Sequence, residues 1–233
     1  LLMSLSYYFY FRKCLDMYRI DFKLLLACVT HYFRGDATVF VAGSAATYLY
    51  MMRELRRSPK RIGWKPNDMD VFVLGEHNED YIAAVSTFFI NYFVKTGYMP
   101  SCRQYRNNYA FVEQTLLVTD ITLSGHDDFV VSFIHYPNAT SSHHVTDTFD
   151  IDIVQVALDP FSGLFTLSPE TDVHIRAGMA AMRNFNFPRH GLTEFHKNKL
   201  MRSLDRMTKY ERRGFTFVSF PNLFESQEIE EVD

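Results

Sequence analysis

The stretch VFVAGSAATYLY, running from Val39 to Tyr50, carries the reading of this chain. Thr38 to Ala42 is a short β-branched and apolar run, hence a buried strand. Gly43-Ser44 then turns into alanine-rich sequence that starts a helix reaching roughly Arg56. Such a corner has a purely structural use, in which glycine relieves crowding and serine caps the helix. It also suits a ligand. The missing Cβ lets a phosphate approach the backbone, while the Ser44 hydroxyl and the helix N-terminus supply donors and positive potential.

Two acidic segments decide between these uses. In NDMDVFVL, Asn67 to Leu74, the carboxylates of Asp68 and Asp70 stand two residues apart and project from one face of a strand. They sit at the start of a buried run, with little water to solvate them. Like charges held side by side repel, and a hard divalent cation is their natural partner. In FDIDIVQVAL, Phe149 to Leu158, Asp150 and Asp152 alternate with β-branched residues and share a face in the same way. Carboxylates for metal beside a cradle for phosphate point to metal-assisted phosphoryl or nucleotidyl transfer.

The rest of the chain is expected to pack around these segments. Apolar residues at helical spacing predict a helix over Leu15 to Phe33 and another over Tyr81 to Lys95, with Ile82, Val85, Phe89 and Phe93 on its buried stripe. Arg56 to Asn67 is a basic loop containing Pro, Gly and the single tryptophan, Trp64, read as a small hydrophobic anchor. Gly97 to Asn108 reads as a strand end and a turn. Ala110 to Val112, Thr115 to Thr122, Phe129 to His135 and Thr148 to Leu158 read as strands, with a hairpin turn over Ser124 to Asp128. Asp172 to Arg183 and Glu194 to Arg213 read as helices, the second closed by Gly214. The expected class is α/β (α+β): a short mixed sheet with helices packed on it, over residues 1–165, and a helical lobe with a basic helix and an acidic tail, over 166–233.

Bulk composition bounds the alternatives. The formal net charge of −3 gives no nucleic-acid-like excess of positive charge, so contact with a polyanion must use a local patch. Two regions are basic enough, Arg53 to Lys65 and Lys197 to Arg213. On the second, Lys199, Arg202, Arg206, Lys209 and Arg213 are three or four apart and share a helix face. Three cysteines without CxxC spacing fit a reducing compartment and carry no zinc signature. His143 and His144 lack further ligands at metal spacing and read as surface residues. The apolar opening stops at Arg12 and Lys13, far short of a membrane span, and has no signal-peptide pattern. The expectation is a soluble, intracellular protein with no membrane partner; the opening Leu1 leaves room for a larger parent protein.

Taken together, Gly43-Ser44, the Asp68-x-Asp70 strand and the later acidic strand resemble the DNA polymerase beta-like nucleotidyltransferase superfamily, which includes poly(A) polymerases, CCA-adding enzymes and antibiotic nucleotidyltransferases. FDIDIVQVAL and KYERRGF, Lys209 to Phe215, are also similar to uncharacterised members from large DNA viruses and some eukaryotes. The likeness runs from Thr38 to Phe215 and rests on short motifs. The basic RRSPKRIGWKPN insertion makes the gap between Gly43-Ser44 and Asp68 longer than in compact members.

The resemblance implies a sheet of nucleotidyltransferase type and transfer of a nucleoside monophosphate from a nucleoside triphosphate to a hydroxyl on an RNA end, a small molecule or a protein. It implies two Mg²⁺ ions on Asp68, Asp70 and a third carboxylate, with Asp150 favoured by its likeness to the viral-type FD and Asp152 close behind. Gly43 and Ser44 would bind the terminal phosphates, and Lys209 and Arg213 the triphosphate or an acceptor strand. The rival expectation is a catalytically inactive module that keeps the fold and binds RNA or a protein partner.

Overall fold

The structure is a computed structural model that describes residues 22–33, 38–75, 79–95, 99–109, 114–124, 129–184 and 193–219. In chain order its elements are α1 (Phe22–Phe33), β1 (Val39–Ala42), α2 (Ser44–Arg53), α3 (Pro59–Ile62), β2 (Asp68–Leu74), α4 (Glu79–Lys95), β3 (Met99–Tyr109), β4 (Gln114–Ser124) and β5 (Phe129–Tyr136). They continue with α5 (Ser142–Thr146), a 3₁₀ turn (Asp152–Val154), β6 (Ala157–Leu158), β7 (Phe165–Thr166), α6 (Pro169–Ala177), β8 (Met179–Ala181), α7 (Glu194–Arg212) and β9 (Thr216–Ser219). Residues 15–21 of the helix expected over Leu15 to Phe33, the strand over Ala110 to Val112, residues 125–128 of the expected hairpin turn and the acidic tail lie outside the described residues.

Seven strands form one mixed sheet in the order β3-β4-β5-β2-β1-β6-β7, which makes the fold mixed α/β. Within this sheet, among the described residues, β2 and β5 pair in parallel and the other neighbours are antiparallel. A parallel pair needs a long crossover. Here α4 and the β3–β4 hairpin provide it, and β5 returns into the slot between β4 and β2.

Alternation along the strands sorts the two faces. On one face Val39, Val41, Met69, Val71, Val73, Ile121, Val131 and Phe133 are buried. They join Leu25, Cys28 and Val29 of α1 and Val85, Phe89 and Phe93 of α4 in one apolar cluster. On the other face Phe40, Phe72, Leu74, Val118, Ile134 and Tyr136 form a smaller cluster with Val145 of α5. That cluster covers only one end of its face. The same alternation leaves Asp68, Asp70, Asp120 and Ser132 at the other end.

Three sequence expectations change here. Met99 to Tyr109 is a full edge strand rather than a strand end and turn. Its exposed Arg103, Gln104 and Arg106 hide the alternation that marks a half-buried strand. The expected strand over Thr148 to Leu158 is a bend: Ile151 makes one isolated bridge to Met182, a 3₁₀ turn follows, and only Ala157–Leu158 enters the sheet. Its apolar residues are buried as a strand's would be, but the backbone is bent by tertiary hydrogen bonds, including Thr171 Oγ1 donating to the Asp152 carbonyl at 3.3 Å.

The helix expected over Asp172 to Arg183 stops at Gly178, whose φ of 69° caps it in the left-handed region. Met179–Ala181 then pairs in parallel with Thr216–Ser219. The described residues after 166 are therefore mainly helical but carry this two-stranded sheet. Ile175, Ala180, Tyr210, Phe215 and Phe217 belong to the same apolar cluster as α1 and α4, so this part shares the main core. None of the described helices is long and apolar enough to cross a membrane.

Candidate active site

The glycine-serine corner closes on the acidic pair. Gly43 has φ 76°, a conformation that other residues adopt only with strain, and a Cβ placed on it would stand 3.3 Å from Asp70 Oδ2. Ser44 opens α2, and its hydroxyl donates to Asp68 Oδ1 at 3.1 Å. Thr47, buried one turn later, holds this end of α2 in place. Its hydroxyl lies 3.0 Å from the Gly43 carbonyl and 2.7 Å from that of Ile153 in the 3₁₀ turn. The corner, β2 and the 3₁₀ turn are thereby locked together.

Strand register supplies the rest. Ala42 pairs with Asp70, Asp70 with Ser132, Ser132 with Asp120, and Asp120 with Arg103. One row across the sheet therefore brings Asp70 and Asp120 to either side of Ser132. Asp120 is oriented from both flanks: Ser132 Oγ donates to its Oδ1 at 2.7 Å and Tyr105 Oη to its Oδ2 at 3.0 Å. Burial, the Asp68 carboxylate and the Asp120 carboxylate, in that order, push the Asp70 carboxyl up to about 8. Lys209 and Arg206 pull in the opposite direction without cancelling it. Among the described residues, no ion pair joins Asp68, Asp70 or Asp120 to a protein cation. A concentration of negative charge that the protein itself leaves uncompensated is what a cation would relieve.

The structure places neither Asp150 nor Asp152 on a regular strand. Both are 1% exposed and both are bound by protein partners. Asp150 accepts from Ser203 Oγ at 2.6 Å and pairs with Arg206 Nη2 at 2.7 Å. Asp152 pairs with His174 Nδ1, accepts the Ala181 backbone N–H at 2.8 Å, and has Arg183 Nη2 at 4.0 Å. The bend through Ile151 and the 3₁₀ turn removes the shared pleat face that the strand reading required. These carboxylates tie the bend to α7 and to α6–β8. Asp150 thus has a guanidinium and a hydroxyl as partners, and Asp152 an imidazole and a backbone N–H.

The C-terminal end of the basic helix α7 comes within electrostatic reach of the acidic strand. Lys209 lies close enough to Asp68 and Asp70 for both carboxylates to favour its charge, against burial, which lowers its pKa. Arg213 stacks over the Trp64 ring at 4.3 Å and the Tyr210 ring at 5.0 Å, and its Nη2 is 3.4 Å from the Lys65 carbonyl. Trp64, 9% exposed and packed on Tyr48, is an anchor for the basic loop. Arg206, held by Asp150, also acts on Asp70. His143 and His144 are exposed on α5.

Sequence reasoning missed Asp120, Tyr105 and Ser132. Asp120 had a visible signal, a lone carboxylate inside the apolar run VTDITL. Tyr105 and Ser132 had none, because their relevance comes only from standing beside Asp120 across the sheet.

Asp68, Asp70 and Asp120 offer carboxylate oxygen, the ligand type that hard divalent cations take. Among the described residues, no group of three or more His, Cys, Asp or Glu is gathered closely enough to hold a metal ion by itself.

No protein-family model matches the chain, and no curated protein matches it. Among solved structures it is similar to the Thermotoga maritima CCA-adding enzyme complexed with tRNA, with a TM-score of 0.47 and 13% identity. The match covers 85% of this chain and 40% of that one, so the chain spans well under half of that enzyme's length.

Proposed function

We propose that this chain is a nucleotidyltransferase that moves a nucleoside monophosphate from a nucleoside triphosphate to a hydroxyl acceptor, with Mg²⁺ as its cofactor. The observation that carries this reading is the Asp68, Asp70 and Asp120 group on one sheet face beside Ser44, with Asp70 pushed up to about 8 by its acidic neighbours and by burial. Asp120 takes the third-carboxylate role that Asp150 and Asp152, committed to protein partners, do not fill.

Bound Mg²⁺ would supply Lewis-acid neutralisation of phosphate charge and acidify an attacking hydroxyl. Asp68 and Asp70 would hold it, with Asp120 completing the protein's share. Gly43 leaves the backbone bare where a side chain would otherwise crowd Asp70, and the backbone N–H groups at the start of α2 would donate to terminal phosphates beside Ser44, whose own proton goes to Asp68. Lys209, Arg213 and Arg206 place positive charge on the opposite wall, where charge developing on the α-phosphate and the departing pyrophosphate would be met. Tyr105 and Ser132 orient Asp120 from two sides, which keeps its carboxylate in one place.

The test is binding of each nucleoside triphosphate with and without Mg²⁺ to the unaltered protein, Asp70→Ala and Asp120→Ala, with far-UV circular dichroism to confirm folding. Saturable, Mg²⁺-dependent binding that both substitutions abolish supports the reading. Equal binding by all three proteins would replace it with a non-catalytic module. Labelled triphosphate incubated with total RNA or lysate then identifies the acceptor class.

A further inference from the structure

The basic insertion between α2 and β2 has no role in the site described above, yet its placement is specific. From Arg56 to Asn67 the sequence RRSPKRIGWKPN holds no acidic residue. Arg56, Lys60, Arg61 and Lys65 are exposed and form no ion pair among the described residues. In a chain of net charge −3, such a run leaves its repulsion unrelieved on one surface.

The loop is also held rigidly. Ile62 and Trp64 are buried in the main core, Gly63 caps α3 with φ 76°, and Arg57 Nη2 donates to the Arg176 carbonyl at 2.9 Å. At its far end Arg213 stacks on Trp64 and reaches the Lys65 carbonyl. Lys209, one helical turn before Arg213, lies within electrostatic reach of Asp68. Cations thus continue from Lys60 and Arg61, through Lys65 and Arg213, to Lys209 at the acidic pair. Fixing the loop at both ends prepays the ordering cost that a flexible basic loop would meet on binding.

We infer that this ledge binds the sugar-phosphate backbone of a single-stranded polynucleotide, which makes the acceptor a nucleic acid strand whose terminal hydroxyl reaches the carboxylates. The inference rests on the proposed nucleotidyl transfer for the reaction at the strand's end, but the ledge's affinity does not depend on it. A strand carries a charge at every nucleotide and ends in a hydroxyl, so it satisfies both the row of cations and the site where the row stops. An acidic peptide would satisfy only the first. Trp64 lies buried beneath Arg213 and offers no stacking face, so binding is electrostatic and tolerant of sequence.

The experiment measures fluorescence anisotropy of a labelled single-stranded oligoribonucleotide of mixed sequence, about 15 nucleotides long, over a salt series without divalent cations. Four proteins are compared: unaltered, Lys60→Glu/Arg61→Glu, the charge-matched control Lys95→Glu/Arg106→Glu at exposed positions of α4 and β3, and Asp70→Ala. For a single strand the logarithm of affinity falls with the logarithm of salt by about 0.7 per phosphate neutralised. The ledge double variant is expected to bind about tenfold or more weakly and to lose roughly 1 to 2 from that slope. The control should stay within about twofold, and Asp70→Ala should bind as well as the unaltered protein. Equal weakening by both double variants, or displacement of the strand by polyglutamate at matched charge, would overturn the inference. Because Asp70→Ala keeps the ledge and loses the carboxylate, failure of strand binding and failure of nucleotide transfer are read separately.

Discussion

Asp150→Ala separates a structural carboxylate from a metal ligand. Asp150 is 1% exposed and holds two partners, Ser203, itself fully buried, and Arg206, whose side chain is 39% exposed. Removing one member of a buried ion pair costs about 3–5 kcal/mol when the remaining charge stays buried. Arg206 can regain water over its exposed part, which places the expected loss near the lower end, about 3 kcal/mol, including about 1 kcal/mol for the Ser203 hydrogen bond. With a urea dependence of about 2–3 kcal/mol per molar, the midpoint should fall by about 1 M.

The assay is urea unfolding in EDTA, followed by far-UV circular dichroism and by the fluorescence of the single tryptophan, which lies buried under Arg213. Coincident transitions justify the free-energy comparison. A metal ligand in a cluster of like charges would behave in the opposite way. With no metal present, its removal would relieve repulsion, and the midpoint would hold or rise. A midpoint unchanged or raised in Asp150→Ala would therefore refute the assignment of Asp150 to Arg206 and Ser203, and with it the transfer of the third-carboxylate role to Asp120.

Two further outcomes follow from the same geometry. The Asp70 carboxyl, raised from the ordinary 3.8 to about 8, keeps a proton in the folded chain that the unfolded chain releases. Its contribution to stability therefore falls as pH rises from about 4 to about 8, and Asp70→Asn should flatten that fall in metal-free urea titrations; parallel pH profiles for the two proteins would refute it. Gly43→Ala should cost about 1–2 kcal/mol, since alanine must adopt φ 76° with its Cβ 3.3 Å from Asp70 Oδ2, and a melting curve matching the unaltered protein would show that the corner is unstrained.

The sequence by itself determined what depends on neighbours along the chain. The apolar run, glycine-serine corner and helix of 38–53 follow from β-branched residues, turn chemistry and helix-forming alanines. The two-residue spacing of Asp68 and Asp70 places both on one strand face, while the runs VFVA and VFVL, apolar throughout, mark strands buried on both faces. The anchoring of Trp64 and the shared helix face of Lys209 and Arg213 also came from local pattern.

The choice among acidic strands was of another kind. Asp120, Asp150 and Asp152 all present a carboxylate flanked by apolar residues, and that local pattern does not distinguish them. Only strand order and register place Asp120 beside Ser132 and Asp70, and only the bend after Phe149 turns Asp150 toward α7 and Asp152 toward His174. A carboxylate facing other carboxylates demands a cation from outside, while one facing arginine or histidine does not. That difference is set by residues far away in sequence, so it belongs to the tertiary structure alone.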